Sequence, residues 1–280
     1  MDHRQPSMTA LRVARLRARH QISNFASVFV DPYAISLLGE GEPNAADLAA
    51  EDLYTRRLRH FVAARSRFAE DSLAASVERG VRQAVILGAG LDTLSLRNPY
   101  RTTGLRIFEV DRPATQAWKR QMLAGAGIQE PAETIFVPVD FEHQLLSEEL
   151  ARSGYHAGEP GFFIWLGVVP YLTREAIFST LAFIAGVSGS EVVFDYGEPP
   201  ESRDEPARSM LLERARQLAE KGEPWISFFD PAALAADLRE TGFDEIEDLP
   251  GGEMAIRYFG AMQGTKSSSG SHVLRARRTD

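Results

Sequence analysis

From residue 82 onward the chain alternates short apolar runs with helical stretches, and few architectures accommodate that alternation. The runs AVILG (84–88), LRIFEV (105–110), TIFVPV (134–139), GFFIWLG (161–167) and SEVVFDY (190–196) have the length and apolar continuity of strands buried on both faces. Helical patterns over 114–124, 145–152 and 174–185 separate them. Such alternation predicts an α/β fold, a doubly wound and mostly parallel sheet with helices on both sides. A further unit is predicted as a helix over 231–241, capped by Asp230 and stopped by Gly242, with a strand over 243–249. A last strand is expected over 272–278.

The first eighty residues have helical character instead. Asp31 and Pro32 supply an N-cap and a first-turn proline for a short helix over 33–38, which Gly39 ends. A longer helix is predicted over 46–77. The stretch 197–222 is too long for a turn and too charged for core, so a helical insertion above the functional edge of the sheet is expected, where a lid would sit. GTKSSSGS (264–271) has the composition of a loop.

The 44% hydrophobic content is ample for a core. No apolar run approaches the roughly 20 residues that a membrane span needs, and the N-terminus lacks the apolar segment of an export signal. A cytoplasmic protein without membrane association is therefore expected. Cysteine is absent, which excludes disulfides, thiolate catalysis, cysteinyl zinc and iron–sulfur ligation; no metal site is expected. The net charge of −8 argues against an extended nucleic-acid surface. One basic segment, Arg12, Arg15, Arg17, Arg19 and His20, suits a solvated helix face or, alternatively, an anion-binding arm.

The first apolar run ends in Gly88-Ala89-Gly90. Glycines suit a turn there because a nucleotide must approach the backbone more closely than a Cβ permits. Asp111 closes the second strand, 21 positions after Gly90, where a carboxylate accepts from ribose hydroxyls. A tight turn beside a surface aspartate is the structural alternative. The dinucleotide fingerprint requires a third glycine for close helix–strand packing, and Thr93 follows here instead. S-adenosylmethionine (SAM) has no pyrophosphate to seat at a helix N-terminus, so this turn favours SAM over NAD.

VILGAGLDTLSLR (85–97) and FEVDRPATQAWKRQML (108–123), with DPYAISLLG (31–39), FVAARSRFAEDSL (61–73), FVPVDF (136–141), WLGVVPYLTREAI (165–177), VVFDY (192–196) and EPWISFFDPAALAADLRETGF (223–243), resemble the leucine carboxyl methyltransferase family. The resemblance covers nearly the whole chain. It implies a class I SAM-methyltransferase (Rossmann-like) fold with seven strands in one domain: a helical cap (1–80), a cofactor-binding core (81–196), the lid insertion (197–222) and the C-terminal part of the core (223–280). It also implies SAM-dependent methyl transfer.

Among individual residues, Arg65 shares a helix face with Phe61, Phe68 and Ser72, so its guanidinium projects from an apolar stripe and demands an anion. The resemblance makes that anion the SAM carboxylate; an internal salt bridge is the alternative. Gly88, Ala89, Gly90 and Asp111 form the rest of the expected cradle, and the resemblance places Asp140 and Phe141 at adenine. Leu166 stands where the family often has a glutamate, which leaves the methionine amine without an assigned partner. The family's N-terminal basic ligand aligns near Arg19 or His20. Tyr171 follows the fourth strand and Tyr196 ends the fifth, and both are expected to face the acceptor chamber.

No catalytic residue is identifiable, and His143 and His156 are weak candidates for a base. A carboxylate acceptor needs no base because it is already ionised, whereas a hydroxyl usually does. These readings together predict an O-methyltransferase acting on a small molecule. An NAD-dependent oxidoreductase and a non-catalytic SAM-binding protein are the rival expectations.

Overall fold

The computed structural model describes residues 7–39, 43–139, 144–220, 222–260 and 270–279. Asp140, Phe141 and His143, and the 264–269 part of the expected loop, lie outside the described residues.

Three helices come first: α1 (Met8–Gln21), α2 (Ala45–Ala49) and α3 (Leu53–Glu78). The expected helix over 46–77 is thus two. Asn44 and Asp47 form a capping box at α2, and Asp52 restarts the helix by accepting from Thr55 N. The expected helix over 33–38 is a turn followed by 3-10 backbone at Ser36–Leu38, which ends at Gly39.

Alternation then begins with β1 (Gln83–Leu87), α4 (Leu94–Arg97), β2 (Arg106–Asp111), α5 (Pro113–Gly125) and β3 (Thr134–Pro138). It continues through α6 (Leu146–Arg152), β4 (Phe162–Trp165), α7 (Arg174–Ala185) and β5 (Glu191–Gly197). Helix α8 (Ala207–Glu220) occupies the expected insertion. The chain closes with α9 (Pro231–Thr241), β6 (Glu245–Pro250), α10 (Gly251–Phe259) and β7 (Ser271–Arg277).

The strands form one seven-stranded sheet in the order β3-β2-β1-β4-β5-β7-β6. The pairs from β3 to β5 are parallel, and β7 runs antiparallel between β5 and β6. The order reverses between β1 and β4, where ligands of such sheets bind beyond the strand C-termini.

Strand alternation supplies two cores. Val85, Leu87, Phe163 and Phe194 face Ile177 and Leu181 of α7 and Leu234 and Leu238 of α9. Ala84, Ile86, Phe162 and Val193 face the other way, toward Ala64, Phe68, Leu73 and Val77 of α3 and Met254 of α10. Helix α3 is therefore a covering layer of the sheet itself, and this contact delivers Arg65 to the strand ends. Among the described residues, no helix is long and apolar enough to cross a membrane.

At the antiparallel edge, His272 of β7 places Nδ1 2.9 Å from Asp248 and Nε2 2.7 Å from Glu198, and its ring stacks on Tyr196. Burial lowers the imidazole pKa, but the two carboxylates outweigh it and raise the value above the ordinary 6.5. A raised histidine contributes stability that is complete below the unfolded pKa and is lost as pH rises through the folded one. Wild type is thus expected to lose more melting temperature between pH 6 and pH 9 than His272→Gln. Parallel pH profiles of the two proteins by thermal denaturation would contradict this.

Candidate functional site

The end of β1 is stitched to β2 beyond the ladder. Gly88 N and Ala89 N both donate to Val110 O, at 2.8 and 3.0 Å. Gly90 N then donates to Asp111 Oδ2 at 2.6 Å, and Arg112 N donates to Oδ1 at 2.7 Å. Gly88 and Gly90 have φ of +67° and +49°, backbone that L-residues rarely adopt. A Cβ on Gly88 would also clash with Val168 Cγ2, and one on Gly90 would lie 3.0 Å from Ala10 Cβ of α1. The turn is roofed by α1 and walled by the loop after β4.

Asp111 is 9% exposed. Burial pushes its carboxyl above the ordinary carboxylate value, although the Gly90 and Arg112 N–H groups and the charges of Arg112 and Lys119 oppose the shift. Two backbone donors orient this carboxylate and leave acceptor capacity for hydroxyl donors.

Arg65 reaches the same edge from α3. Its Nη1 lies 2.5 Å from Asp195 Oδ2 at the end of β5, while Gly167 N donates to Asp195 Oδ1 at 2.5 Å. Gly167 has φ +76°, and a Cβ there would sit 3.1 Å from Arg65 Nη2. Arg65 Nε is buried without a hydrogen-bond partner. The internal salt bridge is present, yet it engages only part of the guanidinium fork.

A second network, unforeseen from the sequence, braces the turn. Arg17 of α1 is buried, with its guanidinium 2.7 Å from both Asp31 and Asp92. Thr93 Oγ1 donates to Asp31 at 2.7 Å and accepts from Arg17 Nη2 at 2.9 Å and Arg97 Nε at 3.0 Å. That is the full capacity of a hydroxyl. Burial would raise the Asp92 pKa, but Arg17 and Arg97 outweigh it and hold the value at about 2. The basic segment of α1 is therefore not a uniformly solvated face, since Arg17 and His20 point inward. Ala14, Arg17 and Ala18 lie on one face, with Arg17 three and Ala18 four positions after Ala14, and that spacing is the signal that could have shown this, by the same reasoning that picked out Arg65.

The two residues near which the N-terminal basic ligand aligns differ in setting. His20 is wholly buried against Phe259, and burial with Arg59 nearby pushes it down to about 4, so it is neutral. Arg19 Nη1 lies 3.9 Å from Glu51. Tyr171 faces Thr9 and Trp225, and burial raises its phenol pKa. The start of α1 is tied to the segment after α8, because the Ser7 hydroxyl donates to Glu223 Oε1 at 3.0 Å and Thr9 donates to Oε2.

Tyr196 does not face this chamber. It belongs to the core on the α7–α9 side, and its hydroxyl donates to Asp248 at 2.5 Å. Side chains alternate along a strand, so with Asp195 turned toward Arg65, Tyr196 must point the opposite way. His156 is exposed, beside Glu159 at 3.8 Å. The open groove of about 490 Å³ between α7 and α9, lined by Arg174, Phe178 and Asp237, contains none of the turn residues. Among the described residues, no group of three or more His, Asp or Glu side chains is arranged so that it could hold a metal ion.

A family model described as leucine carboxyl methyltransferase matches residues 10–185. A Bacillus subtilis protein named "Putative S-adenosyl-L-methionine-dependent methyltransferase YktD" is 34% identical over 196 residues, covering 66% of this chain and 64% of its own length, just under two thirds. A Mycolicibacterium paratuberculosis protein with the same description is 30% identical over 263 residues, covering 86% of this chain and 78% of its own. A solved structure from Thermobifida fusca, titled as a "putative methyltransferase", superposes with a TM-score of 0.60 at 18% identity, over 100% of this chain and 97% of its own. That last likeness establishes the shared fold. With the model match spanning more than half of its length, the chain belongs to the leucine carboxyl methyltransferase family.

Proposed function

We propose that the protein is a SAM-dependent methyltransferase acting on an oxygen nucleophile of a small molecule, with a carboxylate as the favoured acceptor. The observation that carries the cofactor reading is Asp111, held by Gly90 N across a turn that a Cβ on Gly88 would obstruct. The residues fit the group. Asp111 has acceptor capacity for ribose hydroxyls, Gly88 to Gly90 form a turn of small residues with positive φ at both glycines, and Arg65 has a buried, unpartnered Nε for a carboxylate. Asp140 and Phe141 complete the proposed set at adenine. SAM, when bound, supplies a methyl group activated on a sulfonium.

The chain's own part is to orient and to exclude water. Helix α1, held by Glu223 and by Arg17, covers the turn. Tyr171 stands next to this cover, with its phenol pKa raised by burial, so it stays protonated and is suited to donating rather than to acting as a base. Among the described residues, His20, His60 and His272 are committed to other packing, and His156 is exposed on the surface. This distribution favours an acceptor that arrives already ionised.

NAD is disfavoured by α4, whose four residues form too short a helix to seat a pyrophosphate, and by Thr93, which occupies the third glycine's place. The cysteine-free composition suits the cytoplasm, the compartment we propose.

The acceptor class is tested by incubating the protein with methyl-labelled SAM and a panel of small carboxylic acids and phenols. The expected product releases its label as methanol in mild base, as a methyl ester does. A base-stable label would overturn the carboxylate reading in favour of an ether.

A further inference from the structure

Arg65, midway along the inner face of α3, meets Asp195 at the end of β5, and each is only partly satisfied by the other. The Arg65 side chain is 8% exposed, and its hydrogen bonds are confined to Nη1. Its Nε is buried and unpartnered, while Nη2 lies against Gly167. A guanidinium has five donors, so most of this fork is uncommitted. Asp195, 9% exposed at its side chain, accepts from Arg65 and from Gly167 N. A carboxylate offers about four lone-pair sites, so roughly half remain.

Burying a charge pair is costly unless further hydrogen bonds complete it. The unfilled capacity has opposite sense on the two sides: surplus donors on Arg65 and surplus acceptors on Asp195. A ligand that complements both must itself carry an anion and a cationic donor close together, as an α-amino-acid group does.

We propose that Asp195 is a second binding residue of the cofactor site, accepting from the ammonium of the bound amino-acid moiety while it holds Arg65 for the carboxylate. Asp195 thereby supplies from β5 the acidic group that Leu166 does not supply from the loop after β4. This inference rests on the SAM reading above, and three ligands separate the two. S-adenosylhomocysteine (SAH) carries the whole amino-acid end, its deaminated analogue lacks only the ammonium, and 5′-methylthioadenosine lacks the entire group.

The experiment is calorimetric titration of all three into wild type, Asp195→Asn and Asp195→Glu. Wild type is expected to bind SAH about ten- to a hundredfold more tightly than the deaminated analogue, as befits a hydrogen bond between charged groups. Asp195→Asn should lose most of that difference and bind 5′-methylthioadenosine as wild type does. Asp195→Glu, which keeps the charge, should retain part of the difference. Equal affinity of wild type for SAH and the deaminated analogue would overturn the proposal, and that comparison needs no variant to fold. Parallel loss of SAH and 5′-methylthioadenosine in Asp195→Asn would also overturn it, by reducing Asp195 to a structural role. Failure of wild type to bind any of the three would remove the cofactor reading and this proposal with it.

Discussion

Asp111→Asn is expected to weaken SAH binding by at least about a hundredfold while leaving the protein folded. In wild type both carboxylate oxygens are oriented by backbone donors, Gly90 N at 2.6 Å and Arg112 N at 2.7 Å. The asparagine carbonyl retains one of these acceptors. Its amide group, however, donates where the carboxylate accepted, so a ribose diol loses a charged acceptor and meets a competing donor. Hydrogen bonds to a charged group contribute about 1.5–3 kcal/mol each, and two of them exceed a hundredfold in affinity. Burial already raises the Asp111 pKa, so hydroxyl donors would relieve an under-stabilised charge. Titration calorimetry with far-UV circular dichroism as the folding control reads the effect. A change below about tenfold in a folded variant would mean that the carboxylate shapes the turn without touching the ligand.

The second large effect concerns stability. Asp31→Ala is expected to cost about 3–5 kcal/mol, the range for breaking a buried ion pair from one side. The Asp31 side chain is fully buried and stands 2.7 Å from Arg17 Nη2, 2.7 Å from the Thr93 hydroxyl and 3.6 Å from Arg97 Nε. Its removal leaves Arg17 and Arg97 matched in number by Asp92 and Glu70, but it strips Arg17 Nη2 and the Thr93 hydroxyl of their buried charged acceptor. Against the roughly 5–15 kcal/mol that holds a typical domain folded, this is a large fraction. The double variant Asp31→Leu with Arg17→Met should be less destabilised than Asp31→Ala, because it removes the charge together with its partner. Urea unfolding midpoints check both statements. A double variant less stable than the single one would show that the charges contribute more than their mutual neutralisation.

The strands and the later helices were legible because their signals are local. The five apolar runs match β1 to β5 within a residue or two, since strands covered on both faces leave little room for polar residues. Helix α7 spans 174–185, as its helical pattern predicts, and α9 spans 231–241, as Asp230 and Gly242 foretell. Helix α10 was not legible. It opens on Gly251-Gly252, a poor helix start, and forms because Met254 packs into the core shared with α3 and Tyr258 bonds Asp71.

The site divided along the same line. The Gly88–Gly90 turn and Asp111 are close in a strand–turn–helix–strand unit, so spacing was enough to bring them together. Arg65 was marked by charge on an apolar stripe, but its meeting with Asp195 joins residues 130 positions apart, which no periodicity encodes. Arg17 carried the same kind of mark and was masked by neighbouring basic residues, because its partners Asp31 and Asp92 converge only in the fold. Tyr196 was misjudged for a simpler reason. Adjacent strand residues point to opposite faces, and here Asp195 is the one turned toward Arg65.

The central claim is that the cradle between Gly88 and Asp111 binds the adenosyl sulfur cofactor and not a dinucleotide. Titrating wild type with SAH and, separately, with NAD tests it most directly. The account predicts saturable binding of SAH at one site per chain and no measurable heat with NAD. Saturable binding of NAD with none of SAH would contradict it.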